Sequence, residues 1–259
     1  MEYKGMDVSS YQGDIDWAKV KSAGIDFVMI RAGFGKTADS KCIQNIRGAL
    51  NHQIQVGLYW FSYAVNEREA EEEAARMIET AHGWKISYPL AFDYEEASVR
   101  YAANNGVTVT KTLATAMADA FCKAVAAAGY TPMLYSNPDF LTRYIDFSSL
   151  GEDCRLWLAE WSASKPSYEA SIWQYTSGGR VDGVPAVVDL DISYENYSKE
   201  CCPIRYQTLE EIPAALRAET EILINSGALK GSGQGLNVTE DMLRSMIVAM
   251  RYTDIKTAD

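Results

Sequence analysis

Short apolar, β-rich runs alternate with helix-patterned stretches through residues 5–192, and this alternation constrains the fold more than any other feature of the chain. The runs are "GMDVS" at 5–9, "DFVMIRAGFG" at 26–35, "QVGLYWFSYA" at 55–64 and "YPLAFDYE" at 88–95. They continue with "TPMLYSN" at 131–137, "RLWLAEW" at 155–161, "SIWQYT" at 171–176 and "AVVDLDI" at 186–192. Helix patterns separate the first five: "DWAKVKSAG", "CIQNIRGALNHQ", "NEREAEEEAARMIETAHG" with an exposed acidic side, and the Ala-rich "TVTKTLATAMADAFCKAVAAAGY". Later connectors are shorter. Strand and helix in alternation predict a parallel sheet with covered faces, and eight strands predict closure. The expected fold is α/β: an irregular TIM-like (β/α) barrel with eight strands and few late helices, plus a small C-terminal α-helical module.

A barrel of this kind gathers its chemistry at the C-terminal ends of its strands. Asp7 ends the first run, Arg31 is late in the second, and Tyr59, Phe61 and Tyr63 share one face of the third. Asp93 and Glu95 end the fourth, Tyr135 and Asn137 the fifth, and Asp189 and Asp191 the eighth, while Trp157 and Trp161 share a parity on the sixth. Asp93 and Glu95 raise the sharpest question. Positions i and i+2 of a strand point the same way, which puts their bases roughly 6–7 Å apart. Two carboxyls that close repel, and one tends to hold a proton near neutral pH. A carboxylate beside a carboxylic acid is the equipment for hydrolysing a glycosidic bond. The other reading of the pair alone is a solvated, exposed strand end.

Composition narrows the partners. The formal net charge of −11 disfavours nucleic acid, whose phosphates would be repelled. No run of about 18 apolar residues suggests a membrane span. The start "MEYKGMDVSS" lacks the basic-then-apolar order of a signal peptide, so synthesis without a secretion signal is expected. The five Cys (Cys42, Cys122, Cys154, Cys201, Cys202) are irregularly spaced and suggest no disulfide framework. His52 and His82 have no ligand-like neighbours, so neither a metal site nor a Ser-His-Asp triad is expected, and no cofactor.

Taken in order, "GMDVSSYQGDIDWAKVKSAGIDFVMIRAGFG", "VGLYWFSYA", "PLAFDYE", "MLYSNP", "LWLAEW", "IWQYTSGGRVDGV" and "VDLDIS" resemble the family 25 glycoside hydrolases. These are muramidases, or lysozymes, that cut the glycan of bacterial peptidoglycan. The resemblance covers about residues 3–197. It implies hydrolysis of the β-1,4 bond from N-acetylmuramic acid to N-acetylglucosamine, in the setting of a phage or prophage endolysin. It further implies Glu95 as general acid, Asp93 as the assisting carboxylate, and Asp7 and Asp189 as the other acids of the pocket. Family members often carry Asn where this chain has Asp191, which leaves open whether Asp189 or Asp191 takes the functional place. Under the same resemblance Tyr59, Tyr63, Tyr135 and Trp157 are candidates to stack on sugar faces. Arg31 is a candidate to meet a substrate carboxylate or to pair with Asp7 or Asp189. Gln174 reads as a hydrogen bonder that fixes a loop. Two other functions stay open: a glycan-binding barrel without catalysis, and a glycosidase for another amino sugar.

The expected division is a catalytic barrel at 1–198, a linker at 199–206 and a helical module at 207–259. In the module, a helix starts near Thr208 or Pro213 and stops at Gly227, and a second opens on the Thr239 cap. The pair resembles a single S-layer-homology-type repeat, although "VTEDML" stands where a basic signature is expected. Met242, Leu243, Met246, Ile247 and Met250 form one apolar stripe, from which self-association through these helices is expected.

Overall fold

All eight expected strands are present, and they close into a barrel. The computed structural model describes residues 2–161, 163–197, 205–231 and 235–257. The strands are β1 (Tyr3–Val8), β2 (Phe27–Phe34), β4 (Gln55–Phe61), β5 (Leu90–Asp93), β6 (Pro132–Ser136), β7 (Arg155–Ala159), β8 (Ile172–Gly179) and β9 (Val188–Ser193). A two-residue β3 (Thr37–Ala38) extends β2 as a hairpin. Neighbours run in the order β1-β2-β4-β5-β6-β7-β8-β9, and β9 pairs back onto β1. Residues 1–81 and 86–202 make one compact unit, and residues 203–259 with 82–85 a second.

The sheet is not parallel throughout, which corrects the sequence reading. β9 is antiparallel to both β8 and β1. The connection from β8 to β9 is residues 180–187, shorter than the dozen or so residues that a parallel crossover needs. Asp189 and Asp191 therefore do not end a parallel strand. They begin an antiparallel one, and its start lies level with the ends of the others: Asp189 is the register partner of Asp7.

Strand alternation sorts the residues into two sets. Outward-facing Met6, Val8, Val28, Ile30, Val56, Leu58, Leu90, Phe92, Leu134, Leu156 and Leu158 are buried. The helices that follow the strands supply apolar partners of their own. In α2 (Cys42–Asn51), α3 (Glu67–Ala81) and α5 (Lys111–Ala127) these include Ile46, Ala74, Met77, Met117, Phe121 and Val125. α1 (Trp17–Ser22) is capped by Asp16 and ends at Gly24, whose φ of 84° is open to glycine at no steric cost. Inward-facing Phe27, Met29, Tyr59, Ala91, Met133, Trp157 and Ile172 fill the barrel, with Tyr88 and Tyr197 beneath. Gly5 belongs to this set by parity. A Cβ there would lie 2.2 Å from the Phe27 ring, so only glycine lets that ring occupy the interior.

The strand called at 88–95 stops at Asp93, and a helix absent from the sequence reading, α4 (Glu96–Asn104), follows at once. Glu95 is its N-cap residue. Its backbone remains extended (φ −130°, ψ −174°), and its N–H donates to Ser98 Oγ at 3.1 Å. α6 (Pro138–Arg143) likewise begins at Asn137, whose side chain caps it rather than facing the barrel mouth.

The second unit pairs β10 (Arg205–Tyr206) with β11 (Val238–Thr239) and carries α7 (Ala214–Asn225) and α8 (Glu240–Thr257). Thr239 Oγ1 accepts the Met242 N–H, as its cap role predicts. Tyr206, Ile212, Leu216, Leu223, Leu229, Val238, Leu243 and Ile247 form a core of the unit's own, with Met246 and Met250 packed against it. Most of the stripe on α8 is thus covered within its own unit, and Met242 is left exposed. Cys201, Cys202 and most of the 199–206 segment lie outside the described residues. No helix among the described residues is long and apolar enough to cross a membrane.

Candidate active site

The inward set turns from apolar to polar at the barrel mouth. A cavity of about 200 Å³ there is lined by Asp7, Arg31, Tyr59, Phe61, Asp93, Glu95, Tyr135, Trp157, Gln174 and Asp189, with Ser9, Tyr11 and Gln12 at its rim. Each strand delivers its residue by the same parity. Register pairs Phe61 with Asp93, Asp93 with Tyr135, and Tyr135 with Trp157 around the wall.

Four carboxyls face this cavity, and each is pushed above its ordinary range. For Glu95 the main cause is burial, then the charge of Asp189, countered by a hydrogen bond with Tyr135. Asp93 is raised by burial and by Glu95, with Arg31 opposing. Asp7 is raised by burial, Asp191 and Asp189, against a hydrogen bond from Gln174. Burial raises Asp189, which shares a hydrogen bond with Asp7. Protons are therefore retained in this cluster at pH values where free carboxyls have lost theirs. Such a cluster holds a carboxylic acid ready to donate among carboxylates ready to stabilise positive charge.

Asp191 sits one layer below Asp189, 1% exposed and outside the cavity lining. Its Oδ1 accepts the Trp157 indole N–H at 2.8 Å, and its Oδ2 is buried without a partner. Of the two β9 acids, Asp189 is the one at the mouth.

The expected binding residues divide as well. Tyr59 and Tyr135 line the cavity, and both pack edge-on against Trp157, with ring centroids at 5.8 and 4.7 Å. Trp157 is 1% exposed, so it supports that wall and offers no face for a sugar. Tyr63 lies elsewhere. Past the end of β4 it lines a separate cavity of about 400 Å³ with Phe34, Lys36, Glu73, Arg76 and Tyr101, packed on the Tyr101 ring at 4.8 Å. Arg31 pairs with neither Asp7 nor Asp189. Its Nε and Nη2 reach Asp39 Oδ2 at 2.8 and 2.7 Å, and the guanidinium lies over the Tyr11 and Phe34 rings.

Sequence reasoning missed Asp39 and underrated Gln174. Asp39 also accepts the Ser10 N–H and so ties the β1 loop to β2. Its only signal is its place just after the β2–β3 hairpin. Gln174 is buried in the cavity wall, and its Nε2 donates to Asp7 Oδ2 at 2.7 Å. Its parity on β8, inward with Ile172, would have found it.

Comparison with known proteins gives the family. A family model described as glycosyl hydrolases family 25 matches residues 6–184. The autolytic lysozyme of Clostridium acetobutylicum is 30% identical over 192 residues, 73% of this chain and 55% of that protein. Lysozyme M1 of Streptomyces globisporus is 28% identical, over 72% of this chain and 66% of its own length. The chain thus spans between half and two thirds of these relatives. Among solved structures, the modular autolysin LytC of Streptococcus pneumoniae superposes with a TM-score of 0.66 at 25% identity, covering 74% of this chain and 47% of that one. A bacterial lysozyme from Streptomyces coelicolor gives 0.64 at 23%, covering 76% and 94%.

Proposed function

The chain belongs to glycosyl hydrolases family 25, and from that membership we propose that it hydrolyses the β-1,4 bond between N-acetylmuramic acid and N-acetylglucosamine in bacterial peptidoglycan. The observation that carries this reading is the cavity in which Glu95, Asp93, Asp7 and Asp189 face one another, each holding its proton more tightly than a free carboxyl. Glu95 is the general acid. Its proton passes to the glycosidic oxygen as the C–O bond breaks, and the electron pair leaves with the departing sugar. The carboxylate that remains sits at the N-terminus of α4, where the helix dipole favours negative charge. Those of Asp7, Asp93 and Asp189 that are ionised supply the negative field for an oxocarbenium-like transition state. The substrate's own acetamido oxygen attacks the anomeric carbon, oriented by Asp93, and water then opens the resulting oxazolinium ring as its proton passes to the Glu95 carboxylate, which restores the acid. Tyr59 and Tyr135 present the aromatic wall against which a sugar ring lies.

The C-terminal unit is proposed to hold the enzyme on the wall, a role that suits a small module with a core of its own. Release at host-cell lysis is the proposed setting. In that setting, cells expressing the chain should lyse only after their membrane is permeabilised.

Product chemistry tests the reaction. Purified peptidoglycan is digested, and the new reducing ends are reduced with borohydride and identified by mass spectrometry. Muramitol ends are expected. Glucosaminitol ends would assign another bond, and wall binding without new ends would make the barrel a binding module.

A further inference from the structure

Cys122 and Cys154 are 32 positions apart, and the irregular spacing of the cysteines gives no sign of a bond between them. The fold brings the two together. Cys122 lies on the buried side of α5, and Cys154 stands one residue ahead of β7. Their Sγ atoms are 3.3 Å apart. No third atom fits between sulfurs at that distance. An S–S bond is about 2.05 Å long, so the approach still to be made is of the order of 1 Å. Both side chains are buried, at 3% and 7% exposed. A buried thiol alone behaves as a small apolar side chain, and it is the contact between these two that gives them chemistry.

The two thiols are not equivalent. Cys154 lines a cavity of about 870 Å³ together with Phe147, Lys165, Tyr168 and Glu195. A small solute in that cavity meets Cys154 first. The hydrogen bond with Cys154, followed by burial, holds the Cys122 thiol well above the ordinary range, so Cys122 keeps its proton at neutral pH. One thiol is placed to be oxidised and the other to resolve the product, which is the arrangement a sulfenic acid needs to end as a disulfide.

We propose that Cys122 and Cys154 are a site of oxidative cross-linking, closed to a disulfide by a hydroperoxide that reaches Cys154 from its cavity. With hydrogen peroxide, the Cys154 sulfur attacks one oxygen and the O–O bond breaks. Cys154 becomes a sulfenic acid, and its thiol proton leaves with the other oxygen as water. The Cys122 sulfur then attacks Cys154 Sγ. The S–O bond breaks, and the hydroxyl departs with the Cys122 proton as a second water. Two electrons pass from the pair of thiols to one peroxide. The bond ties α5 to the start of β7 and closes a loop that contains β6. β6 and β7 carry Tyr135 and Trp157, so the cross-link braces one wall of the mouth cavity. Cytosolic reductants keep such thiols open, and an oxidising exterior lets them close. This chemistry does not depend on which bond the barrel cleaves.

Peptide mapping of the full chain tests the site. The reduced protein, freed of reductant, is treated with hydrogen peroxide, unfolded, alkylated and digested with trypsin. Residues 112–123 should appear joined to residues 144–155, two hydrogens lighter than the two thiol peptides together, while Cys42 in residues 42–47 should carry the alkyl label. The thermal midpoint should rise by about 5–10 °C on oxidation and return with dithiothreitol. In Cys122→Ser the midpoint should not rise, and dimedone should trap the sulfenic acid on Cys154. Alkylated Cys122 and Cys154 after peroxide would overturn the proposal, as would links from either to Cys201 or Cys202 in place of the pair. A linked chain whose midpoint falls would overturn it too, because the bond would then form only by distorting the fold. The mapping uses the wild-type chain, so it decides the matter even if Cys122→Ser fails to fold.

Discussion

Asp189 and Asp191 face the same side of β9 one layer apart, and their surroundings give them different work. Asp189 borders the cavity and shares a hydrogen bond with Asp7, whereas Asp191 is enclosed, with one oxygen on the Trp157 N–H and the other unpartnered. Burial raises Asp191 well above the ordinary carboxylate range, against the Trp157 bond and with help from Asp189. A neutral acid with one accepting oxygen is close in shape and polarity to an amide. Asp191→Asn should therefore keep activity within about threefold, far less than the 10²–10⁴-fold a general acid contributes. Its effect on stability has a definite sign. As pH rises past the unfolded value near 3.8, the unfolded chain ionises and the folded one holds its proton, so wild-type stability falls. Asn removes that loss. Urea denaturation at pH 4 and pH 7 should show the variant gaining on wild type at the higher pH. A variant that loses at pH 7 instead would mean that Asp191 is charged in the fold.

At the scale of elements, α3 carries a similar burden. Glu73 lies between Ala70 and Met77 on the apolar stripe of that helix and is 5% exposed. Its Oε1 accepts the Tyr63 N–H at 2.9 Å, which anchors the loop leaving β4, and burial pushes its carboxyl up to about 7. The unfolded chain ionises near 4.5, so this group withdraws about 3 kcal/mol of stability between pH 4.5 and 7. Glu73→Gln keeps the acceptor for Tyr63, and its stability should decline less over that window by roughly that amount. Equal slopes for both proteins would place the carboxyl in water. The helix period places Glu73 on the buried face but could not show its task, because periodicity does not report where a loop needs an acceptor. Strand positions were legible for the complementary reason: every barrel strand carries an alternation or an apolar run. The direction of β9 lay in the length of its connection to β8, a feature that strand patterning ignores. α4 was hidden because "DYEEAS" continues an apolar strand, while the turn into the helix depends on Glu95 and Ser98 capping it. Parity placed Asp7 and Asp93 at the mouth, but it could not choose between Asp189 and Asp191, and Glu95 is set by the turn into α4; the Arg31–Asp39 pair and the Gln174 contacts, which join residues from different elements, were hidden too.

For the whole molecule, the two units raise separate questions. The apolar stripe on α8 was the ground for expecting self-association, and Leu243, Ile247, Met246 and Met250 are taken up by the unit's own core. Among the described residues of that unit, the apolar side chains left exposed are Ile222, Met242 and Val248, too few for a sizeable interface. Light scattering at tens of micromolar should give a monomer, and a concentration-dependent dimer would return these helices to the role of an interface. The barrel unit carries the central claim, that Glu95 at its mouth is the acid of a glycan hydrolase. Its most direct test is the rate of reducing-end release from purified peptidoglycan by Glu95→Gln, whose amide keeps the shape of the side chain and carries no transferable proton. Circular dichroism and the thermal midpoint of the variant should match those of the wild type. Its rate should fall to about a hundredth or less, the scale set by a positioned general acid; a folded variant that keeps more than about a tenth of the wild-type rate would contradict the assignment.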